Sequence, residues 1–260
     1  MTFTLETRDL TIRFGGHVAV NHISCTFRPG ELTAIVGPNG AGKTTYFNLI
    51  SGQLKPTEGR VLLDGEDITR LSAPMRTRAG LGRAFQLTNL FPNLSVEENV
   101  RLAVQATRGV HYDMLRPWMK RTDLIAQADQ ILDSVALSGR RRVAATTLSH
   151  GDQRKLEVAL MMALEPKVFM FDEPTAGMSV DEVPVVLDLI AKLKQDMSRI
   201  ILLVEHKMDV VRSLADRIIV LHNGQLVADG KPTEVIASPI VQEAYLGVSS
   251  GRPLAGEPAA

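Results

Sequence analysis

The sequence predicts an α/β protein with a mostly parallel sheet, an antiparallel β portion at its N-terminus and an inserted helical portion. Three observations carry that expectation. Continuous apolar runs recur at Leu32-Thr33-Ala34-Ile35-Val36, Val168-Phe169-Met170-Phe171 and Ile200-Ile201-Leu202-Leu203-Val204. Runs this short, without polar alternation, suit strands covered on both faces. A helix-compatible stretch, 183–194, separates the second run from the third, and β-α-β order implies a parallel sheet. Finally, a glycine-rich turn follows the first run and leads into Tyr46-Phe47-Asn48-Leu49-Ile50, which can continue as a helix.

Taken in order, residues 3–14 read as a strand with alternating character, and Gly15-Gly16 make a turn. Strand-like composition resumes over 18–27 and stops at Pro29-Gly30, so a hairpin-rich antiparallel sheet is expected. Residues 53–59 are a turn cluster, and Arg60-Val61-Leu62-Leu63 look like another strand before the Asp64-Gly65 turn. From 96 to 163 the character becomes helical. Ser95 and Glu98 fit a capping box. Between Thr122 and Leu137, apolar Leu124, Ile125, Ala128, Ile131, Leu132 and Val135 follow the helical period. Residues 105–120, with Trp118, are the least patterned, and a loop or short helices are expected there. The Gly/Pro/Ala-rich tail, 248–260, is expected to be flexible.

At 260 residues the chain sits near the upper limit for one hydrophobic core, so one domain with subdomains is expected. Lys plus Arg and Asp plus Glu each total 29, which leaves no basic field to drive nonspecific nucleic-acid binding. Cys25 stands alone, which excludes an intrachain disulfide and suits a reducing cytoplasm. Glu6, Arg8 and Asp9 near the start argue against a secretory signal peptide. No apolar run approaches the ~18 residues of a membrane helix. The longest, 158–171, is broken by Glu165, Pro166 and Lys167. Any work at a membrane is expected to go through a partner.

The glycine-rich turn is Gly37-Pro38-Asn39-Gly40-Ala41-Gly42-Lys43-Thr44-Thr45, which fits the phosphate-binding pattern G-x-x-x-x-G-K-[ST]. A turn of this kind aims backbone N–H groups and a helix N-terminus at one point, and that arrangement binds anions. Lys43 is expected to reach the β- and γ-phosphates of a nucleotide, and the Thr44 hydroxyl to ligate Mg²⁺. The second half of such a site is Phe169-Met170-Phe171-Asp172-Glu173. Acids closing a buried apolar strand are costly unless they have a task. Asp172 is suited to hold Mg²⁺, directly or through water, and Glu173 to act as general base on the attacking water.

With Leu148-Ser149-His150-Gly151-Asp152-Gln153-Arg154, the chain resembles the ATP-binding cassette family, the nucleotide-hydrolysing subunits of ABC transporters. The family signature is L-S-G-G-Q, just before the second acidic strand. The resemblance implies an ABC nucleotide-binding domain over 5–247, with its helical subdomain at about 95–163. It also implies a head-to-tail dimer with two ATP molecules at the interface, where Ser149 and Gly151 contact the γ-phosphate held by the opposing subunit. His150 replaces the first glycine and Asp152 the usual glutamine, so strain is expected at His150 if that position needs a positive φ. By the same resemblance, Phe14 matches the aromatic that stacks on adenine. Gln86, closing Gly82-Arg83-Ala84-Phe85-Gln86, matches the glutamine that reaches Mg²⁺ and the attacking water. His206 matches the switch histidine at the γ-phosphate, and Ala176-Gly177-Met178-Ser179 occupies a loop where S-A-L-D is commoner.

Within the family, Arg13-Phe14-Gly15-Gly16-His17-Val18-Ala19-Val20, Arg83-Ala84-Phe85-Gln86, the run from Leu90 to Val100, the extra segment at 105–120 and Tyr245-Leu246-Gly247 look like the longer ATPase subunit of branched-chain amino acid importers. Such an importer is implied to contain two transmembrane permease subunits, two ATPase subunits and a periplasmic solute-binding protein, with this chain peripheral on the cytoplasmic face of the bacterial inner membrane. Whether the dimer pairs two copies or this chain with a relative stays open. Two other readings are an ATPase of lipopolysaccharide export and a soluble, non-transport cassette. The segment 87–94 is expected to face a permease or to pack within the helical subdomain.

Overall fold

In a computed structural model of the chain, residues 3–84, 90–108, 122–239 and 241–242 are described. The N-terminal antiparallel expectation holds. Strands β1 (Leu5–Phe14) and β2 (His17–Phe27) form a hairpin whose register runs from Leu5 opposite Phe27 to Phe14 opposite His17. β4 (Glu58–Leu63) pairs antiparallel with the other edge of β1, and the short β5 (Glu66–Asp67) adds to β4.

The second sheet is built from β3 (Leu32–Val36), β6 (Leu81–Ala84), β7 (Val168–Asp172), β8 (Ile200–Val204), β9 (Arg217–His222) and β10 (Gln225–Gly230). Its order is β10-β9-β3-β8-β7-β6, parallel throughout except for β10 at one edge. Every residue of β3, β7 and β8 is buried. Alternate side chains enter two different cores, as the pleat requires. Phe169, Phe171, Ile201 and Leu203 join the core shared with the helices, while Val168, Met170, Ile200 and Leu202 join the core shared with the antiparallel sheet. The unbroken apolar runs thus follow from burial on both faces.

Helix α1 (Lys43–Ser51) fills the space between the sheets, and Tyr46 anchors it there. The buried Tyr46 hydroxyl lies 2.8 Å from that of Thr7 on β1. Helix α2 (Ala73–Ala79) brings in Arg76, which is fully buried. Its guanidinium donates to the carbonyls of Leu49 (2.7 Å) and Ile50 (2.6 Å), the negative end of α1. It also donates to Thr69 and Leu71, and burial pulls its pKa down to about 10.

The helical portion comprises α3 (Val96–Thr107), α4 (Thr122–Ser134) and α5 (His150–Leu164). The capping box forms: the Ser95 hydroxyl accepts from the Glu98 N–H, and the Glu98 carboxylate accepts from the Ser95 N–H. Leu124, Ala128 and Leu132 of α4 are buried against Val100 and Val104 of α3 in one core. Helix α6 (Val183–Lys194) spans the predicted stretch between β7 and β8. Helices α7 (Met208–Leu214) and α8 (Pro232–Ile236) cover the β9 side. Most of the 105–120 segment and all of the 248–260 tail lie outside the described residues.

Candidate nucleotide site

Four neighbouring parallel strands, β3, β8, β7 and β6, deliver their carboxyl ends to one edge of the sheet. Ligands of open α/β sheets bind at that edge. The loop 37–42 leaves β3, Glu173 follows β7, and Glu205-His206 follow β8. Residues separated by more than 160 positions are therefore neighbours because their strands are.

The loop ends in Gly42, which caps α1 in the left-handed conformation at φ 95° with no side-chain cap. A Cβ there would also stand 2.5 Å from the Ala19 carbonyl oxygen, so both backbone angle and space call for glycine. Lys43 is 7% exposed, and its Nζ donates to the carbonyls of Gly37 (2.7 Å) and Pro38 (2.9 Å). Burial holds its pKa below the ordinary lysine value, and the negative charges of Glu173 and Asp172 oppose that shift. An ammonium held at the mouth of a loop of N–H groups suits a polyphosphate. Thr44 stands exposed on the first turn of α1.

Asp172 is buried, and it is not alone. Arg83 of β6 donates to its Oδ2 at 2.8 Å, and both side chains are under a tenth exposed. The same guanidinium donates to Asn48 Oδ1 and Ser51 Oγ of α1 and lies 4.9 Å from the centre of the Phe47 ring. Arg83 thus ties the acid of β7 to the helix carrying the phosphate loop. Burial lowers its pKa, while Asp172 opposes the shift. Its place in the sequence gave only a weak signal, a charge within a short apolar strand.

Glu173 takes a left-handed backbone, φ 49°, which is uncommon for a residue with a side chain. Its N–H donates to the Val204 carbonyl at 2.9 Å, extending the β7–β8 ladder by one bond. The half-exposed His206 brings Nδ1 to 3.8 Å from Glu173 Oε1 and 3.6 Å from Glu205 Oε2. Glu205 is wholly buried and accepts from Thr175 Oγ1 and from the N–H groups of His206 and Lys207. Sequence reasoning placed Glu205 beside His206 at the mouth of the sheet but gave neither Glu205 nor Thr175 a role, although Glu205, like Asp172, closes an apolar strand.

Phe14 is 50% exposed at the tip of the β1–β2 hairpin, so it is not a core aromatic. Gln86 lies outside the described residues. Ser149 caps α5, accepting from the Asp152 N–H at 3.1 Å. His150 is the first residue of α5 with ordinary helical backbone, so the strain expected there is absent. Asp152 sits in the first turn and pairs with Lys155 at 2.8 Å. Gly151 is where space is short: a Cβ would meet Glu182 Oε1 at 2.1 Å. The Glu182 carboxylate also accepts from the Ser179 N–H and hydroxyl and, at 3.5 Å, from the Ser149 hydroxyl. Leu90 packs on the helical core and, with exposed Phe91, Arg83, Asn99 and Glu157, lines a groove of about 440 Å³.

Among the described residues no cluster of three or more His, Cys, Asp or Glu could hold a metal by itself. A hydroxyl and a carboxylate are nevertheless hard oxygen donors, which fit Mg²⁺ when phosphate and water complete the shell.

A family model for ABC transporters matches residues 20–176, and one for branched-chain amino acid ATP-binding cassette transporters matches 225–250. The chain is similar to BraF of Pseudomonas aeruginosa, a high-affinity branched-chain amino acid transport ATP-binding protein. The two are 38% identical over 94% of this chain and 97% of that one. LivG of Escherichia coli, a protein of the same description, is 37% identical with the same coverage. Among solved structures, the ADP conformation of MJ1267, an ATP-binding cassette of an ABC transporter, aligns with a TM-score of 0.80 and 28% identity. That alignment covers 95% of this chain and all of the other.

Proposed function

The chain belongs to the ABC transporter family, and on that premise we propose that it is the ATP-hydrolysing subunit of an importer for branched-chain or related amino acids. The observation that carries the reading is the convergence of the 37–45 loop, Asp172, Glu173 and His206 at the ends of adjacent strands. The descriptions of BraF and LivG support the solute class.

Residues 5–247 act as one ATPase domain, with the helical part at about 95–163. The N–H groups of 37–42 and the Lys43 ammonium hold the β- and γ-phosphates, and Phe14 stacks on the adenine. Thr44, Gln86 and Asp172 would hold Mg²⁺, which when bound neutralises charge between the β- and γ-phosphates. Arg83, donating to Oδ2, orients the Asp172 carboxylate. Glu173 accepts a proton from the attacking water, and His206 steadies the γ-phosphate. Ser149 and Gly151 of the opposing subunit close the site, in a dimer of two copies or with a second ATPase subunit.

No described helix is long and apolar enough to cross a membrane. In this reading the chain works from the cytoplasmic face of the inner membrane, against two permease subunits that receive solute from a periplasmic binding protein. The groove beside Phe91 is the surface offered to a permease. Glu173→Gln tests the chemistry: ATP should still bind, while hydrolysis slows at least tenfold, and a wild-type rate would remove Glu173 from that role. Purification from solubilised membranes tests the assembly. Two permeases and a second cassette should accompany the chain, and its recovery with ribosomes would discard transport.

A further inference from the structure

Glu205 is a carboxylate without solvent, 0% exposed, at the carboxyl end of β8. An ionised group in that position is costly unless its oxygens are fully engaged. The partners it has are informative. Oε2 accepts from the N–H groups of His206 (2.8 Å) and Lys207 (3.1 Å), which fixes the backbone that carries the imidazole. Oε1 accepts from the Thr175 hydroxyl at 2.6 Å. Thr175 is likewise 0% exposed and lies two residues beyond Glu173, in the same loop after β7.

The main-chain connection between β7 and β8 ends where the Glu173 N–H reaches the Val204 carbonyl. Past that bond the two strands continue as separate loops, one bearing Glu173 and the other His206. The Thr175–Glu205 bond spans the two. Loops left to themselves move independently, and catalytic geometry tolerates little misplacement. A short bond to an ionised acceptor is among the stronger single ties available to a side chain.

We propose that Glu205 and Thr175 are positioning residues, a buried clamp that sets Glu173 and His206 at a fixed separation for attack on the γ-phosphate. Neither touches nucleotide; both act through the groups they hold. The proposal rests on the assignment of Glu173 and His206 to hydrolysis. It adds that this geometry depends on one hydroxyl 30 residues from its acceptor.

The test compares Thr175→Val, which keeps the shape and removes the hydroxyl, with Thr175→Ser, which keeps the hydroxyl. Both are measured in the full-length chain within its membrane complex, alongside Glu173→Gln. Thr175→Val should lower kcat for ATP at least tenfold, while ATP affinity measured in EDTA changes less than threefold. Thr175→Ser should stay within threefold of wild type in both. Glu205→Gln, whose amide can still meet the hydroxyl and the N–H groups but without the charge, should fall between them. If Thr175→Val does not fold, an unchanged kcat in Glu205→Gln overturns the proposal and an intermediate one supports it. Equal loss in the Val and Ser variants, or affinity and kcat falling together, assigns the pair a purely structural role and overturns it. Slow hydrolysis in Glu173→Gln with a wild-type rate in Thr175→Val rejects the clamp alone. A wild-type rate in Glu173→Gln rejects the catalytic assignment and the clamp with it.

Discussion

Helices α1 and α5 both begin at turns assigned to phosphate, yet they begin in different ways. α1 starts from a left-handed glycine without a side-chain cap, and the ammonium of Lys43 stands beside it. Its first N–H groups are available to an anion from outside the chain. α5 starts from Ser149, whose hydroxyl already accepts from the Asp152 N–H, and the Glu182 carboxylate rests against Gly151. An acid near a helix N-terminus is favourable by itself. The first turn is therefore built to take a phosphate alone, whereas the second is already partnered within its own chain. In the proposed dimer a phosphate reaches α5 only by exchange with what is there. In that proposed dimer the difference would divide the labour, one subunit binding nucleotide and the other completing the site.

The comparison can be broken most severely from behind α1. Arg83→Met removes the partner of the buried Asp172 together with the bonds to Asn48 and Ser51. Breaking a buried pair from one side costs about 3–5 kcal/mol. Denaturant unfolding should report a loss of that order, and a change below about 1 kcal/mol would show that the pair contributes little.

Glycine-to-alanine changes at the two turns sharpen the contrast. Gly42→Ala sets a methyl group against main chain, the Ala19 carbonyl, at a backbone angle that disfavours it. Equilibrium binding should show ATP affinity reduced at least tenfold. Gly151→Ala meets only the end of a flexible Glu182 side chain, which can turn aside. Its ATP affinity should remain within threefold of wild type, while hydrolysis in the assembled complex falls. Matching losses of affinity in both variants would remove the distinction drawn between the turns.

The smallest effect belongs to the cap. Ser149→Ala deletes the capping bond from the Asp152 N–H and the long one to Glu182, and should cost about 1 kcal/mol of stability. Thermal unfolding would register it, and ATP binding should be unaffected.

What the sequence made legible was local or repetitive. The phosphate loop, the capping box at Ser95 and Glu98, and the apolar runs of β3, β7 and β8 announce themselves within a few residues. Each depends on chain neighbours, so spacing alone is enough. The contacts that organise the site depend on strand order, which spacing does not reveal. Arg83 finds Asp172 89 positions away because β6 and β7 are adjacent. Glu182 reaches Ser149 across 33 positions, and from sequence it reads as an ordinary surface acid. His150 shows the converse. A substitution in the signature raised the prospect of strain, yet the position is helical and the crowded residue is its neighbour Gly151.

The Thr7–Tyr46 hydroxyl pair has a consequence for how the molecule comes apart. It joins β1, whose far end carries Phe14, to α1, which carries Lys43, inside a buried core. Peeling the antiparallel sheet away would break that bond and expose to water the apolar face that Tyr46, Phe47 and Ile50 share with the sheet, a cost that disfavours partial opening there. The sheet and the loop helix therefore constitute one cooperative unfolding unit. Amide protons of β1 and α1 should exchange with solvent at a common free energy, and the proposed seats for base and phosphates would be lost together.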